Sequence, residues 1–128
     1  MGLYAPFILS LFDQLTNRSF ETSRAFALAG AHVIMLNRKE EQGHDAIQKI
    51  KSEKSDAKVE WEPCDLGSLK EVREVFTKLA QRLDRVDLLI LCAGINTNQF
   101  GLDADGIDRH FGVNWVSVQY TCLIVIAR

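Results

Sequence analysis

The apolar run VDLLILCAG at residues 86–94 constrains the fold more strongly than any other stretch of the chain. Five of its first six residues are apolar, and a turn of small residues closes it. A strand with one face in water would alternate apolar and polar residues, so this run predicts a parallel strand that is buried on both faces. Such a strand needs covering helices. We therefore expect an α/β layer structure, with ligand chemistry after the strand at residues 92–95.

Composition narrows the class of protein further. A chain of 128 residues fits one domain, so we predict a single domain over residues 1–128. Fifteen basic and 17 acidic residues give a net charge of −2 without a basic stripe, and no nucleic-acid partner is expected. Cys64, Cys92 and Cys122 form an odd set without paired spacing. This set predicts a reducing, cytoplasmic location and small hydrophobic roles, with neither a disulfide framework nor a metal site.

The first twelve residues are apolar but contain no basic residue, and Pro6 interrupts them. They lack the charged flank of a signal peptide and the length of a membrane-spanning helix. Residues 6–12 fit either a short buried strand or the start of a helix, and we favour the strand. A weak membrane contact through residues 1–12 stays open as a less favoured alternative.

The remaining pattern alternates helices and strands. Residues 20–29 predict a helix with an apolar side at Phe20, Phe26 and Ala27, capped by Asn17 or Ser19 and ended by Gly30. The later elements are a buried strand at 31–36, a surface helix at 39–54, an edge strand at 58–62, a helix at 69–83 opened by a Ser68–Glu71 capping box, the strand at 86–91 and a helical segment at 106–126. Right-handed crossovers then give a Rossmann-like parallel sheet of order 3-2-1-4, with helices on both faces.

Several ordered motifs in this pattern resemble one family. They are FETSRAFALAGAHVI at residues 20–34 followed by Asn37-Arg38, then Cys64-Asp65-Leu66, Leu91-Cys92-Ala93-Gly94, Asp105-Gly106 and Phe111-Gly112-Val113-Asn114. Together they resemble the short-chain dehydrogenase/reductases, nearest to the retinol-dehydrogenase-like and WW-domain-oxidoreductase-like branch of fungal type. The resemblance implies an oxidoreductase that moves a hydride between a nicotinamide cofactor and a small carbonyl or alcohol substrate.

The resemblance also implies how the adenosine end of the cofactor is held. Arg38 would meet the 2′-phosphate of NADP, and Asn37 replaces the carboxylate of NAD-preferring members, so NADP is the expected cofactor. Asp65 would contact the adenine edge and Leu66 the ring. Without the resemblance, we favour Arg38 as a solvated residue at a helix start, and Asp65 fits a turn acid near the Ser68 cap equally well.

Two further positions follow from the same resemblance. Cys92, Ala93 and Gly94 would form the turn that approaches the cofactor ribose, although an unliganded tight turn is the alternative. Asn114 matches the asparagine of the family's catalytic tetrad, which helps to hold a proton-relaying water. An asparagine inside a helix is otherwise mildly unfavourable and needs a hydrogen-bond partner.

The phosphate-binding loop departs from the family pattern. The family's three glycines fall here on Asp13, Asn17 and Ser19. Those glycines give the pyrophosphate room against the backbone and the N-terminus of the following helix. Side chains at these positions would crowd the phosphates, and Asp13 would repel them, with partial compensation by Arg18. We therefore expect weak or lost NADP binding.

The second departure concerns the proton donor. The family places a tyrosine four residues before a lysine, with a serine upstream, whereas Tyr120 is followed by Ile124 and the chain stops at Arg128. Because lowering a tyrosine pKa requires a nearby cation, Tyr120 does not fit that role. We expect a truncated, catalytically impaired unit. One alternative is a non-catalytic module that forms a homo- or hetero-oligomer with a full-length relative through its apolar C-terminal helix; another is a truncated product without a role of its own.

Overall fold

A computed structural model describes residues 7–11 and 17–126, with side chains from residue 18 onward. The elements are β1 (Phe7–Leu11), α1 (Asn17–Leu28), β2 (His32–Asn37), α2 (Glu40–Glu53), β3 (Val59–Pro63), α3 (Leu69–Arg82), β4 (Leu88–Leu91), α4 (Arg109–Phe111), a π-helical segment (Gly112–Val116) and α5 (Ser117–Ile126). The strands pair in parallel in the order β3-β2-β1-β4. The predicted sheet order and the strand within residues 6–12 are therefore confirmed.

The strand register aligns the carboxyl ends of all four strands. Leu11 of β1 pairs with Leu36 of β2 on one side and with Leu91 of β4 on the other. Asn37, one residue after Leu36, pairs with Pro63 at the end of β3. The turns that follow β2, β3 and β4 thus start from one edge of the sheet, where parallel α/β folds place their ligands.

Helices cover both faces of the sheet, as predicted. Val33 and Met35 of β2 belong to one apolar cluster, which includes Ala46 and Ile50 of α2. Ile34 and Leu36 belong to a second cluster with residues of α3 and the π-helical segment. Because successive side chains of a strand point to opposite faces, β2 is buried on both sides. Its burial and central position explain its nearly continuous apolar sequence.

Helix α1 differs from the prediction in its start and in its buried face. It begins at Asn17 rather than at residue 20, so Ser19 lies inside the helix and does not cap it. Among the side chains described for α1, those of Ser19, Ser23 and Ala27, spaced four apart, are fully buried, whereas Phe20 packs only partly against the core. Small side chains on this stripe let α1 lie close to the sheet. Gly30 ends the helix with φ of +96°, as a C-cap glycine does.

Helix α3 is held at its start by two acids and a serine. The Ser68 hydroxyl accepts a hydrogen bond from the Glu71 N–H at 3.3 Å, which confirms the predicted cap. The reciprocal half of the capping box is wrong, because the Glu71 carboxylate accepts from the Asp65 N–H instead, at 2.9 Å. Asp105, from the distant loop, accepts from the Leu69 N–H at 2.8 Å. The bonds from the Leu69 and Glu71 N–H groups satisfy donors that an uncapped helix would leave unpaired.

The apolar run at residues 86–94 is not buried on both faces, so that prediction is wrong. Leu88 is 40% exposed and Leu91 36% exposed. The reason is position, because β4 lies at the edge of the sheet with β1 as its partner. The predicted edge strand at 58–62 is confirmed as β3, whose Val59 and Trp61 face the α1/α2 side.

The final helical stretch starts at Arg109, where the Asp108 carboxylate caps it by accepting from the Phe111 N–H at 3.0 Å. Its axis passes through the π-helical turn and continues as α5, which packs against α3. The Ser117 hydroxyl donates to the Leu66 carbonyl and ties α5 to the turn after β3. No helix within residues 17–126 has the length and apolar content needed to cross a bilayer. The predicted contact through residues 1–12 falls largely outside the described residues.

Candidate functional site

Three turns at the carboxyl edge of the sheet hold the residues that the sequence singled out. Arg38 follows β2 directly, Asp65 and Leu66 follow β3, and Ala93 and Gly94 follow β4. Leu66 is buried in the same apolar cluster that Ala93 packs against. The fold therefore brings these positions to one side of the molecule. Arg38 and Gly94 are exposed there, while the side chain of Leu66 lies in the core.

The corner between β2, α2 and β3 is closed by Asn37 and Trp61. Asn37 is 1% exposed, and its Oδ1 accepts from the indole N–H of Trp61 at 2.7 Å. Its Nδ2 donates to Gln42 Oε1 at 3.4 Å. The indole lies against Gly43, where an added Cβ would stand 2.3 Å from Trp61 Cδ1. The Asn37 amide is thus directed into the protein, and Arg38 is its exposed neighbour.

The turn after β3 is a compact acid turn. Asp65 Oδ1 accepts from the Gly67 N–H at 2.8 Å, which is the local bond expected of a turn aspartate. The Cys64 thiol lies beneath this turn, where burial and the negative charges of Glu71 and Asp65 raise its pKa to about 12. Cys64 therefore behaves as the predicted small hydrophobe. That prediction is wrong for Cys92, which is exposed.

Asn114 holds the chain that leaves β4. Its Oδ1 accepts from the Ile95 N–H at 2.7 Å, and its Nδ2 donates to the Ile95 carbonyl at 2.9 Å. These bonds supply the partner that an asparagine in a helix requires. A carboxamide has two acceptor lone pairs and two N–H groups, so each end of the Asn114 amide keeps capacity for one more bond. A Cβ added at Gly94 would lie in ordinary contact with Asn114 Oδ1, at 3.6 Å, so the Asn114 amide stands directly beside this turn.

Neither the π-helical turn nor a second backbone contact beside it was predicted from sequence spacing. Asn114 lies in the π-helical segment, and such segments occur often at functional sites. One turn earlier, His110 Nε2 accepts from the Thr97 N–H at 3.0 Å. Two side chains of one helix thus fix the backbone at residues 95 and 97. Among the residues from 17 to 126, no cluster of three His, Cys, Asp or Glu has the geometry of a metal site.

The phosphate end of the site is built differently from the adenosine end. Asp13 lies outside the described residues, Asn17 is the first residue of α1, and Ser19 is buried inside it. Buried within α1, the Ser19 side chain is accommodated by packing against the sheet. The first turn of α1 contains no acid and carries Arg18, so its N-terminus keeps the partial positive charge that attracts phosphate. Any fit to a dinucleotide therefore depends on the adenosine side, at Arg38, Asp65 and the turn after β4.

Comparison with known proteins identifies the class. The family model described as short chain dehydrogenase matches residues 19–128, and the chain belongs to that family. Among similar proteins, the WW domain-containing oxidoreductase of Gallus gallus is 37% identical over 95 residues, covering 74% of this chain and 23% of that protein. Human polyprenol dehydrogenase is 30% identical over 76% of the chain, and mouse retinol dehydrogenase 13 is 32% identical over 75%. The chain spans 29% of each of these two proteins.

Solved structures agree in fold. A protein from Mycobacterium paratuberculosis superimposes with a TM-score of 0.80 at 25% identity over 96% of this chain and 42% of that one. A short chain dehydrogenase from Mycobacterium smegmatis gives 0.77 at 21% identity, over 96% and 52%. A short chain dehydrogenase from Shigella flexneri, complexed with NADP, gives 0.75 at 18% identity, over 95% and 52%. The predicted family and the Rossmann-like α/β fold are confirmed.

Proposed function

We propose that this chain is the nucleotide-binding part of an NADP(H)-dependent oxidoreductase acting on small carbonyls or alcohols. The observation that carries the proposal is the shared sheet edge at which the exposed Arg38, Asp65 and the Ala93–Gly94 turn follow three aligned strands. Arg38 supplies an exposed cation directly after β2, where a 2′-phosphate would be bound. A relative in fold is complexed with NADP, and that supports the choice of cofactor.

Each residue has a distinct part in this proposal. Arg38 would pair with the 2′-phosphate, Asp65 would accept from the adenine amino group, and the turn at Cys92, Ala93 and Gly94 would lie along the ribose. Bound nicotinamide supplies the hydride. Asn114 acts through the backbone, because its bonds to Ile95 hold the turn after β4 in place and leave amide capacity for a water.

We further propose that binding is weak and that these 128 residues do not turn over substrate by themselves. Asp13 and Asn17 replace glycines that leave room for diphosphate, whereas Ser19, which replaces the third glycine, is buried in α1. The 128 residues also contain no tyrosine with a lysine four positions later. A purified chain that reduces carbonyls from a broad panel with NADPH would contradict this part of the proposal.

A binding titration tests the cofactor assignment. The chain is titrated with NADPH and with NADH in a calorimeter, and NADPH is expected to bind more tightly. Arg38→Ala should weaken NADPH binding about tenfold and leave NADH binding unchanged, because one charge-assisted contact is lost. Arg73→Ala, which removes an exposed arginine of α3, is the matched control. Equal affinity for both nucleotides, insensitive to Arg38→Ala, would refute the assignment.

A second candidate function is supported by the outer face of the C-terminal helix. Phe111, Trp115, Leu123 and Ile126 are each more than half exposed there. The rings of Phe111 and Trp115 stack with centroids 5.7 Å apart and planes at 8°. Clustered exposed apolar side chains mark interaction surfaces, so a non-catalytic module that associates with a relative fits this face. Light scattering at micromolar concentration should then detect oligomers that Trp115→Asp dissociates, and a monomer would exclude self-association.

A further inference from the structure

The last residue of β2 occupies the position where NAD-preferring relatives carry a carboxylate, yet its side chain is directed away from the sheet edge. Asn37 is buried, with Oδ1 accepting from the Trp61 indole and Nδ2 donating to Gln42. Its own carbonyl accepts from the Cys64 N–H at 3.0 Å. Both ends of the amide are therefore used by α2 and β3.

The indole that binds Asn37 is itself fixed on its other side. The absence of a side chain at Gly43 lets Trp61 lie directly on α2, since an added Cβ would stand 2.3 Å from Cδ1. The His44 ring packs against the indole with centroids 5.3 Å apart. Glu60 and Glu62, the neighbours of Trp61 in β3, bond to Arg82 on the α3 side of the sheet. The indole and the Asn37 amide therefore hold each other in one arrangement.

We propose that Asn37 is a positioning residue, which locks Trp61 into the corner between β2, α2 and β3 and leaves nucleotide preference to the exposed Arg38. A carboxylate at position 37 would accept the same indole N–H and stay in the corner. Aspartate keeps the acceptor for the indole N–H and gives up only the long 3.4 Å bond to Gln42, so we expect the lock to tolerate the exchange. The locking role is independent of any cofactor, whereas the statement about preference rests on the proposed function.

The lock is tested without nucleotide by following the indole N–H signals in 1H–15N spectra. Trp115→Phe assigns the two signals. The Trp61 Nε1–H should exchange with water about tenfold more slowly than that of the mostly exposed Trp115, because its hydrogen bond must open first. Asn37→Ala should abolish that protection, Asn37→Asp should keep it, and Asn98→Ala, at an exposed loop asparagine, should not change it. Equal exchange of both indoles in the unaltered chain would overturn the lock.

The preference is tested by titrating Asn37→Asp with NADPH and NADH. We expect the ratio of the two affinities to change less than about threefold, because the carboxylate stays on Trp61. A shift of about tenfold or more toward NADH would overturn the proposal, since it would place the side chain at the ribose. If Asn37→Asp does not fold, Asn37→Ala gives a second comparison: the ratio of the two affinities should again change less than about threefold, and a change of about tenfold or more would overturn the proposal. A chain that binds neither nucleotide refutes the proposed function, while the exchange experiment still decides the lock.

Discussion

The two strands that flank β1 have similarly apolar sequences but reach different degrees of burial. On one side of β1, the residues of β2 from Val33 onward are buried, and β3 closes the edge beyond it. On the other side, β4 is equally apolar, and Leu88 and Leu91 remain exposed. Burial of a strand therefore depends on what lies next to it, because an apolar sequence supplies only the tendency to be covered.

The two edge strands differ in how their outer side chains are paired. In β3, Glu60 accepts from Arg82 at 2.7 Å and from His32 at 2.5 Å, and Glu62 lies 3.6 Å from Lys78 Nζ. Charged side chains of this kind protect a sheet edge from pairing with another chain. The sequence Leu88–Leu91 of β4 contains no charge. The charges on the β3 edge are therefore paired within this chain, whereas β4 presents apolar surface.

The largest expected difference between the two sides comes from a matched pair of leucines. Leu36 of β2 and Leu91 of β4 both pair with Leu11, but Leu36 is fully buried. Leu36→Ala should lower the free energy of unfolding by about 3 kcal/mol through lost burial and a cavity, and Leu91→Ala by about 1 kcal/mol. Urea titration of both variants measures the two losses. Equal losses would show that β4 is covered in solution.

The cysteine that follows β3 and the cysteine that follows β4 should differ in reactivity. Cys64 follows β3 and is buried with its pKa raised to about 12, whereas Cys92 follows β4 and is exposed. At pH 8, iodoacetamide should modify Cys64 at least about a hundredfold more slowly than Cys92, because the thiolate is the reactive form. Mass spectrometry of the labelled peptides measures both rates. In urea the two rates should converge, which serves as the control.

The raised pKa of Cys64 also predicts how the free energy of unfolding changes with pH. The folded chain holds the Cys64 proton more tightly than the unfolded chain does. Its contribution is therefore complete below the unfolded pKa of about 8.5 and is lost as the pH rises from there toward 12. A free energy of unfolding that rises through this range in a Cys92→Ser, Cys122→Ser background would contradict the burial of Cys64.

The smallest expected effect belongs to the charged edge of β3. Burial opposes ionisation of Glu60, but hydrogen bonds from Arg82 and His32 outweigh it and lower its pKa. The contribution is present above the unfolded pKa of about 4.3 and is lost as the pH falls below that value. Because Glu60 is partly exposed, Glu60→Gln should cost less than about 1 kcal/mol at pH 7 and still less at pH 3. Glu74→Gln, at an exposed position of α3, is the matched control for the loss of one surface carboxylate.

Most of the architecture could be predicted from the sequence because it depends on local patterns of apolar, capping and turn residues. Alternation in residues 58–62 identified the edge strand, and the Ser68 cap and Gly30 placed helix ends through local backbone requirements. The start of α1 was misplaced because Ser19 is a good capping residue by type, while its burial against the sheet is set by tertiary packing. Likewise, the Glu71 carboxylate accepts from the Asp65 N–H and not from the Ser68 N–H of a full capping box. Sequence spacing alone does not distinguish these two bonds.

The sequence by itself determined the family, the strand order and the positions that follow each strand, because these depend on periodicity, turn residues and short motifs. Only the tertiary structure decided which of those side chains face outward. Asn37 turns inward because Trp61 reaches it from another strand, and Asn114 clamps Ile95 because a π-helical turn brings the two together. Contacts between residues distant in the chain depend on the packing of whole elements, and one-dimensional spacing does not contain that information.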